Sequence, residues 1–150
     1  MKLQDILTLD CTICAAPASS KKRLFDTICD AASRKLPEIN QHDLLQSLTQ
    51  REQMGSTGIG NGIAIPHGRL TNSKQAVAVF ITTENPISFD AIDNRPVDIF
   101  VALFVPEDCC KDHLSTLQNI AQLFSDKKIV KNIRKCQDNH QLFDIIQEAS

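Results

Sequence analysis

Residues 97–105 read VDIFVALFV and residues 76–83 read AVAVFITT, and these two stretches decide the fold. Both are mostly apolar, β-branched and aromatic, and prolines lie at or near their ends. Because neither stretch alternates polar with apolar side chains along its length, we expect each strand to be covered on both faces. The sequence therefore predicts a central sheet that lies between layers of helices.

Apolar residues with helical spacing occur on both sides of the two strands. They predict one helix over 21–36 and a second over 41–53, for which Asn40 is the N-cap and Gly55 suits the C-terminal stop. Residues 114–146 carry three further stripes with helical period. Helices before and after buried strands favour a single-domain α/β sandwich over a barrel, with a mixed central sheet flanked by helices on both faces.

Length and charge limit the classes of function. A chain of 150 residues is the size of one domain. Its 16 Lys and Arg against 18 Asp and Glu give a formal net charge of -2, so no basic excess draws it to nucleic acid or an anionic membrane. Gln4, Asp5 and Asp10 interrupt the first apolar residues and leave no signal-peptide core, and no apolar run approaches the ~18 residues of a spanning helix. We therefore expect a cytoplasmic protein that binds no nucleic acid and does not insert into the membrane.

All five glycines of the chain lie in one segment, in which residues 55–69 read GSTGIGNGIAIPHGR. This clustering indicates backbone with φ > 0 or a close approach of backbone to a ligand, and a flexible hairpin loop is the competing interpretation. The spacing fits neither a dinucleotide-binding turn nor a P-loop, so we predict no nucleotide site and no cofactor. Bare N–H groups can nevertheless hold a phosphoryl group. The candidate phosphoryl-binding residues are Ser56, Thr57, Gly58, Gly60, Asn61 and Gly62.

Three side chains outside the glycines have the chemistry of an anion site. His67 follows Pro66, whose fixed φ mounts the imidazole rigidly at the end of a short strand. His113 shares one helix face with apolar residues four, seven and eleven positions later, and therefore points inward. Arg51 lies on the buried side of its helix, where a cation needs an anionic partner. Each has an ordinary alternative: a histidine that caps a carbonyl, a satisfied core histidine, and an arginine that complements the helix dipole.

Metal and redox chemistry have weaker support. The C-x-x-C of residues 11–14 lies in an apparent short strand and has no second C-x-x-C to complete a site, and the adjacent Cys109 and Cys110 do not supply one. We therefore predict no metal site. His42 and His140 lie among polar neighbours at predicted helix starts, and we expect both to be solvated.

The segment from Gly55 to Gly68 resembles the enzyme IIA proteins of the phosphoenolpyruvate-dependent phosphotransferase system, and most strongly their nitrogen-regulatory branch. Matching stretches extend this resemblance over nearly the whole chain: SKKR at 20–23, LTQRE at 48–52, FDAIDNRPVD at 89–98 and HLSTL at 113–117. The resemblance implies that residues 1–150 form one EIIA type-2 domain.

In the proteins that the chain resembles, the histidine matching His67 accepts a phosphoryl group from a histidine phosphocarrier protein, which in the nitrogen-regulatory branch is the nitrogen-type HPr. The residues matching His113 and Arg51 line the same pocket. The resemblance thus implies that His67 is the phosphoryl acceptor, on Nε2, and that all three are catalytic residues. We expect His113 to donate a hydrogen bond that orients the phosphoryl group and Arg51 to offset its charge.

Three functions remain open on the sequence. The first is regulation, in which the phosphorylation state decides which partner binds, such as a sensor kinase or a potassium transporter. The second is sugar uptake, in which His67 passes phosphate to a IIB cysteine; the lack of IIB and IIC parts favours the first. The third is a binding module whose His67 never turns over. For docking around His67, we expect Ile59, Ile63 and Leu70 to supply apolar contacts.

Overall fold

A six-stranded mixed sheet forms the centre of the computed structural model, which describes residues 2–71 and 73–149 without the side chains of residues 109–112. The strands are β1 (Leu7–Ala16), β2 (Gly58–Gly60), β3 (Ile63–Ala64), β4 (His67–Leu70), β5 (Val77–Ile87) and β6 (Val97–Pro106). Their order is β1-β5-β6-β3-β2, and β4 also pairs with β6. The pairs β5/β6 and β2/β3 are antiparallel, while β1 runs parallel to β5, and β3 and β4 run parallel to β6.

Helices cover both faces of this sheet. They are α1 (Leu3–Ile6), α2 (Lys21–Ser33), α3 (Gln41–Gln53), α4 (Cys110–Leu123), α5 (Lys127–Arg134) and α6 (Asn139–Glu148), with a 3-10 turn over Glu107–Cys109. Leu24 and Leu44, from α2 and α3, share one apolar core with Phe100 of β6. Ile120 and Leu142, from α4 and α6, lie in a second core on the opposite face. The predicted single-domain sandwich with a mixed sheet is therefore confirmed.

The element boundaries follow local chemistry. The helix predicted over 41–53 is confirmed residue for residue, and the side chain of Asn40 accepts the backbone N–H of Asp43 at 2.8 Å. The helix predicted over 21–36 ends at Ser33, three residues early, ahead of Pro37, which disfavours helical backbone at the residue before it. Among the described residues, no helix combines the length and the apolar composition that crossing a membrane requires.

Gly68 decides how closely β4 and α3 approach each other. A Cβ built on Gly68 would collide with the Oγ of Ser47 and would lie 3.0 Å from the backbone carbonyl carbon of Ser47. Only a residue without a side chain lets the strand and the helix pack at this distance. The C-terminal turn of α3, which carries Arg51, is thereby brought against the start of β4, which carries His67.

Candidate active site

His67 begins β4, where backbone bonds on both sides fix its position. Leu103 of β6 donates its N–H to the carbonyl of Pro66 at 2.9 Å, and His67 itself pairs with Leu103 in the parallel ladder. The imidazole Nδ1 lies 2.9 Å from the carbonyl oxygen of Ile65. Because a carbonyl oxygen can only accept, Nδ1 carries the proton and Nε2 carries the lone pair. The local backbone thus presents Nε2 as a nucleophile.

Arg51 reaches this nitrogen from α3. Its Nε donates to His67 Nε2 at 3.2 Å, which is consistent with a lone pair on Nε2. Its Nη1 donates to the carbonyl oxygen of Gly55 at 3.0 Å. Neither acceptor is anionic, so these two contacts orient the guanidinium without neutralising its positive charge. An anion that arrives beside Nε2 would meet a cation that is already in place.

His113 completes the cavity from the other side. It lies in the first turns of α4, is only 5% exposed, and its Nδ1 finds no hydrogen-bond partner within the part of the chain that the structure describes. Together with His67 and Arg51 it lines a cavity of about 380 Å³. A buried polar atom without a partner is costly, and the His113 ring lines the same cavity as His67 and Arg51. The three side chains that the sequence singled out therefore meet in one cavity.

The surroundings lower the pKa of His67 below its ordinary value. Burial is the main cause, because it disfavours the charged imidazolium, and the positive charge of Arg51 acts in the same direction. The hydrogen bond to Ile65 acts in the opposite direction. The imidazole therefore stays neutral, and so remains a nucleophile, to a lower pH than a free histidine.

The lowered pKa of His67 leads to a prediction about how this side chain titrates. We expect its titration midpoint to lie below the ordinary value of 6.5, with the proton of the neutral form on Nδ1. The unfolded chain binds this proton first as the pH falls, so the destabilisation due to His67 grows between pH 6.5 and its folded pKa and remains at lower pH. Long-range proton–nitrogen NMR spectra of the folded and urea-unfolded protein measure both properties. A folded midpoint at or above the unfolded one, or a proton on Nε2, would contradict the prediction.

The structure does not bring the six candidate loop residues to His67. None of them lines its cavity. Ser56 Oγ donates to the carbonyl of Phe89 at 2.8 Å, and both the N–H and the hydroxyl of Thr57 donate to Glu52. Gly58 and Gly60 belong to β2, which pairs with β3. The polar groups of Ser56 and Thr57 therefore bind within the loop region, and Gly58 and Gly60 belong to the sheet.

Asn61 and Gly62 lie toward a different end of β6. The N–H of Asn61 donates to Asp93 at 3.0 Å and its carbonyl accepts from Arg134 at 2.7 Å. Gly62 has φ of 80°, and a Cβ there would meet Arg134 Nη2 and Asp98 Oδ1 within 2.8 Å. At Gly62, turn geometry and the side chains that press on the backbone are sufficient to explain the glycine.

The apolar residues that are exposed at the cavity are not the ones predicted from the sequence. Ile63 and Leu70 are core residues, at 2% and 4% exposure, and only Ile59 is exposed. Met54 and Leu114 line the cavity instead and are 83% and 58% exposed. The sequence analysis missed Met54, although helical spacing could have found it, because it follows Arg51 by three positions as the C-cap of α3.

Polar residues missed by the sequence analysis also line the cavity. Ser47 and Gln50 share its wall with Arg51 on α3, and Arg69 joins from β4. As for metals, the described residues contain no group of three or more His, Cys, Asp or Glu side chains that could hold an ion. Four cysteines of the described region, Cys11, Cys14, Cys29 and Cys136, are free thiols, and the side chains of Cys109 and Cys110 lie outside that region.

Comparison with known proteins identifies the class to which this fold and cavity belong. Residues 5–149 match the family described as "Phosphoenolpyruvate-dependent sugar phosphotransferase system, EIIA 2". The chain belongs to this family of IIA domains. Such domains act within a phosphotransfer chain, and the family therefore implies an interaction with a phosphocarrier.

Similarity within the family is to nitrogen regulatory proteins. Those of Klebsiella oxytoca and Escherichia coli are 44% and 43% identical to the chain over 150 residues, which cover 99% of it and 92% and 91% of those proteins. The crystal structure of nitrogen regulatory protein IIA-Ntr from Neisseria meningitidis matches with a TM-score of 0.90 and 36% identity, over 96% of this chain and 98% of that chain. The mannitol IIA of Escherichia coli, at 13% identity and a TM-score of 0.71, shares the fold alone. These similarities support a nitrogen-regulatory IIA protein.

Proposed function

We propose that His67 accepts a phosphoryl group on Nε2 from a histidine phosphocarrier protein of the nitrogen type, and that the protein regulates its partners according to this phosphorylation. The observation that supports the proposal most directly is the neutral imidazole whose Nε2 faces the Arg51 guanidinium. A nucleophilic nitrogen next to a guanidinium whose hydrogen-bond acceptors are both neutral suits an incoming group that is electrophilic at phosphorus and anionic at oxygen.

The transfer step balances within the two proteins. The lone pair of His67 Nε2 forms a bond to phosphorus, and the bond from phosphorus to the carrier's histidine nitrogen breaks, with its electron pair staying on the carrier. The His67 ring gains positive charge in this step. Its Nδ1 proton remains hydrogen-bonded to the Ile65 carbonyl, and that bond strengthens as the charge develops. The Ile65 carbonyl therefore stabilises the transition state more than the ground state.

Arg51 must change its contact during the step. Its Nε occupies the lone pair of Nε2, so attack on phosphorus requires this hydrogen bond to open. The guanidinium then meets phosphoryl oxygens, which bind it more strongly than a neutral imidazole does. The contact from Nη1 to the Gly55 carbonyl keeps the guanidinium within reach while Nε changes partner.

His113 and the two exposed apolar side chains at the cavity, Met54 and Leu114, which form its apolar rim, also fit phosphoryl transfer from a docked carrier. The His113 ring lines the cavity, where it can donate a hydrogen bond to a bound phosphoryl group. Met54 and Leu114 are large apolar side chains exposed at the cavity, and exposed apolar groups around a polar site favour the docking of another protein. A carrier that docks there delivers its phosphoryl group to His67.

Reconstitution with enzyme I, the phosphocarrier and radiolabelled phosphoenolpyruvate tests the relay. We expect one acid-labile label on the wild-type protein and none on His67→Ala. His140→Ala is the matched control, because His140 is exposed and hydrogen-bonded to Asp144 at the start of α6. An unlabelled wild type, or undiminished label on His67→Ala, would exclude the relay.

The regulatory role needs a separate measurement. A phosphoryl group adds about -2 charge at the apolar rim, which changes the affinity of any partner that docks there. We expect a sensor kinase or a potassium transporter to bind the two phosphorylation states with affinities that differ by about tenfold or more. Rapid passage of the label to a IIB cysteine, together with equal binding of both states, would instead favour sugar uptake.

A further inference from the structure

Glu52 is a nearly buried carboxylate directly after Arg51, and it does not contribute to the cavity. Its side chain is 7% exposed. One oxygen accepts the backbone N–H of Thr57 at 2.8 Å and the Thr57 hydroxyl at 2.7 Å, and the second oxygen lies 3.1 Å from each donor. A buried carboxylate persists only where its hydrogen bonds and a counter-charge compensate for lost hydration. Within the described residues, the hydrogen bonds and the ion pair of Glu52 thus go to a single loop residue and one cation.

That cation is Lys21, at the start of α2. Its Nζ lies 3.7 Å from Glu52 and 4.2 Å from the centre of the Phe89 ring. The carbonyl of Phe89 in turn accepts the hydroxyl of Ser56. The carboxylate, the ammonium group and the aromatic ring thus tie the end of α3 to α2 and to the segment before β6.

The loop closed by Glu52 contains the carbonyl that orients Arg51. Between Glu52 and Thr57 the chain turns through Gly55, whose φ is 147° and whose carbonyl accepts Arg51 Nη1. A Cβ at Gly55 would have no atom within 4 Å, so side-chain packing does not hold this residue. Its carbonyl direction depends on the anchored neighbours, of which Thr57 is clamped by Glu52.

We infer that Glu52 is a positioning residue for phosphoryl transfer: through Thr57 it holds the Gly55 carbonyl where that carbonyl aims the Arg51 guanidinium at His67 Nε2. The inference rests on the proposed relay and adds to it a residue that does not contact the phosphoryl group. Displacement of a reacting group by a fraction of an ångström is enough to slow a reaction severalfold. A cation held by one carbonyl is displaced when the loop that carries the carbonyl relaxes.

Conservative variants test the inference. Glu52→Gln removes the charge and one acceptor oxygen, Thr57→Val removes the hydroxyl and keeps the N–H, and Thr57→Ser restores the hydroxyl. Phosphoryl transfer from the carrier should slow by about tenfold in the first two variants and return to within about twofold of wild type in Thr57→Ser. The matched control is Glu38→Gln, which removes the charge of an exposed carboxylate.

The position of Arg51 has its own readout. The NMR signal of the Arg51 Nε–H reports its hydrogen bond to His67, and we expect it to shift in Glu52→Gln and Thr57→Val while thermal unfolding stays cooperative. Wild-type transfer rates together with an unshifted signal would overturn the inference and leave the relay intact. An unlabelled wild type would reject the relay, whereas the Arg51 signal would still decide whether Glu52 positions the guanidinium.

Discussion

Replacing Arg51 with alanine is expected to slow phosphoryl transfer to His67 by about 10²-fold, because two opposing effects differ in size. Removing the donor frees the lone pair of Nε2, and that ground-state hydrogen bond contributes about 1 kcal/mol. Removing the cation from the transition state costs more, since one preorganised donor to developing negative charge contributes about 3 to 4 kcal/mol. The loss of about 2 to 3 kcal/mol that remains corresponds to the expected slowing.

Single-turnover transfer from the phosphorylated carrier measures this effect, and Arg51→Lys is the informative comparison. Lysine keeps the charge but cannot donate to Nε2 and to the Gly55 carbonyl in the same fixed geometry, so an intermediate rate is expected. The pKa of His67 should rise in Arg51→Ala, because one of the charges that lower it is gone. If Arg51→Ala transfers faster than wild type, the guanidinium acts mainly by blocking Nε2.

The architecture could be predicted because its determinants are local. Residues 97–105 and 76–83 are apolar on both sides of the strand, and α3 has its cap and apolar stripe within 14 residues, from Asn40 to Gln53. Periodicity also predicted the burial of His113, which depends only on the helix face. Where a pattern repeats within one helix or strand, the sequence is sufficient to predict that element and which of its residues are buried.

The glycine loop shows what local patterns cannot supply. Its sequence suggests polar groups that are free to bind a ligand. In the structure the Phe89 carbonyl accepts the Ser56 hydroxyl, Asp93 accepts the Asn61 N–H and Arg134 donates to the Asn61 carbonyl, and these residues lie 32 to 73 positions away from their partners. The hydrogen bond from Arg51 to His67 could not be predicted for the same reason, since it requires α3 and β4 to meet at a distance that no single element determines. Sequence reasoning selected three side chains that meet in one cavity and could not assign their hydrogen-bond partners.

Gly68→Ala is expected to destabilise the protein by about 2 kcal/mol, because a Cβ at this position overlaps Ser47 and its backbone on α3. The helix has to move away from β4 by several tenths of an ångström. For a domain of this size the loss lowers the unfolding temperature by roughly 4 to 8 °C, which calorimetry can measure. The same movement carries Arg51 away from His67, so phosphoryl transfer should fall even at temperatures where the variant is fully folded.

A double-mutant cycle with Ser47→Gly separates this steric cause from a general loss of stability. Ser47→Gly alone weakens α3 by about 1 kcal/mol, since glycine disfavours a helix interior. In the double variant the overlap of the Ser47 side chain with the new Cβ is absent, and only the backbone carbon at 3.0 Å still resists it. The combined loss should therefore be smaller than the sum by about 1 kcal/mol, with transfer partly restored. Additive losses of stability would mean that overlap with the Ser47 side chain does not cause the loss in Gly68→Ala.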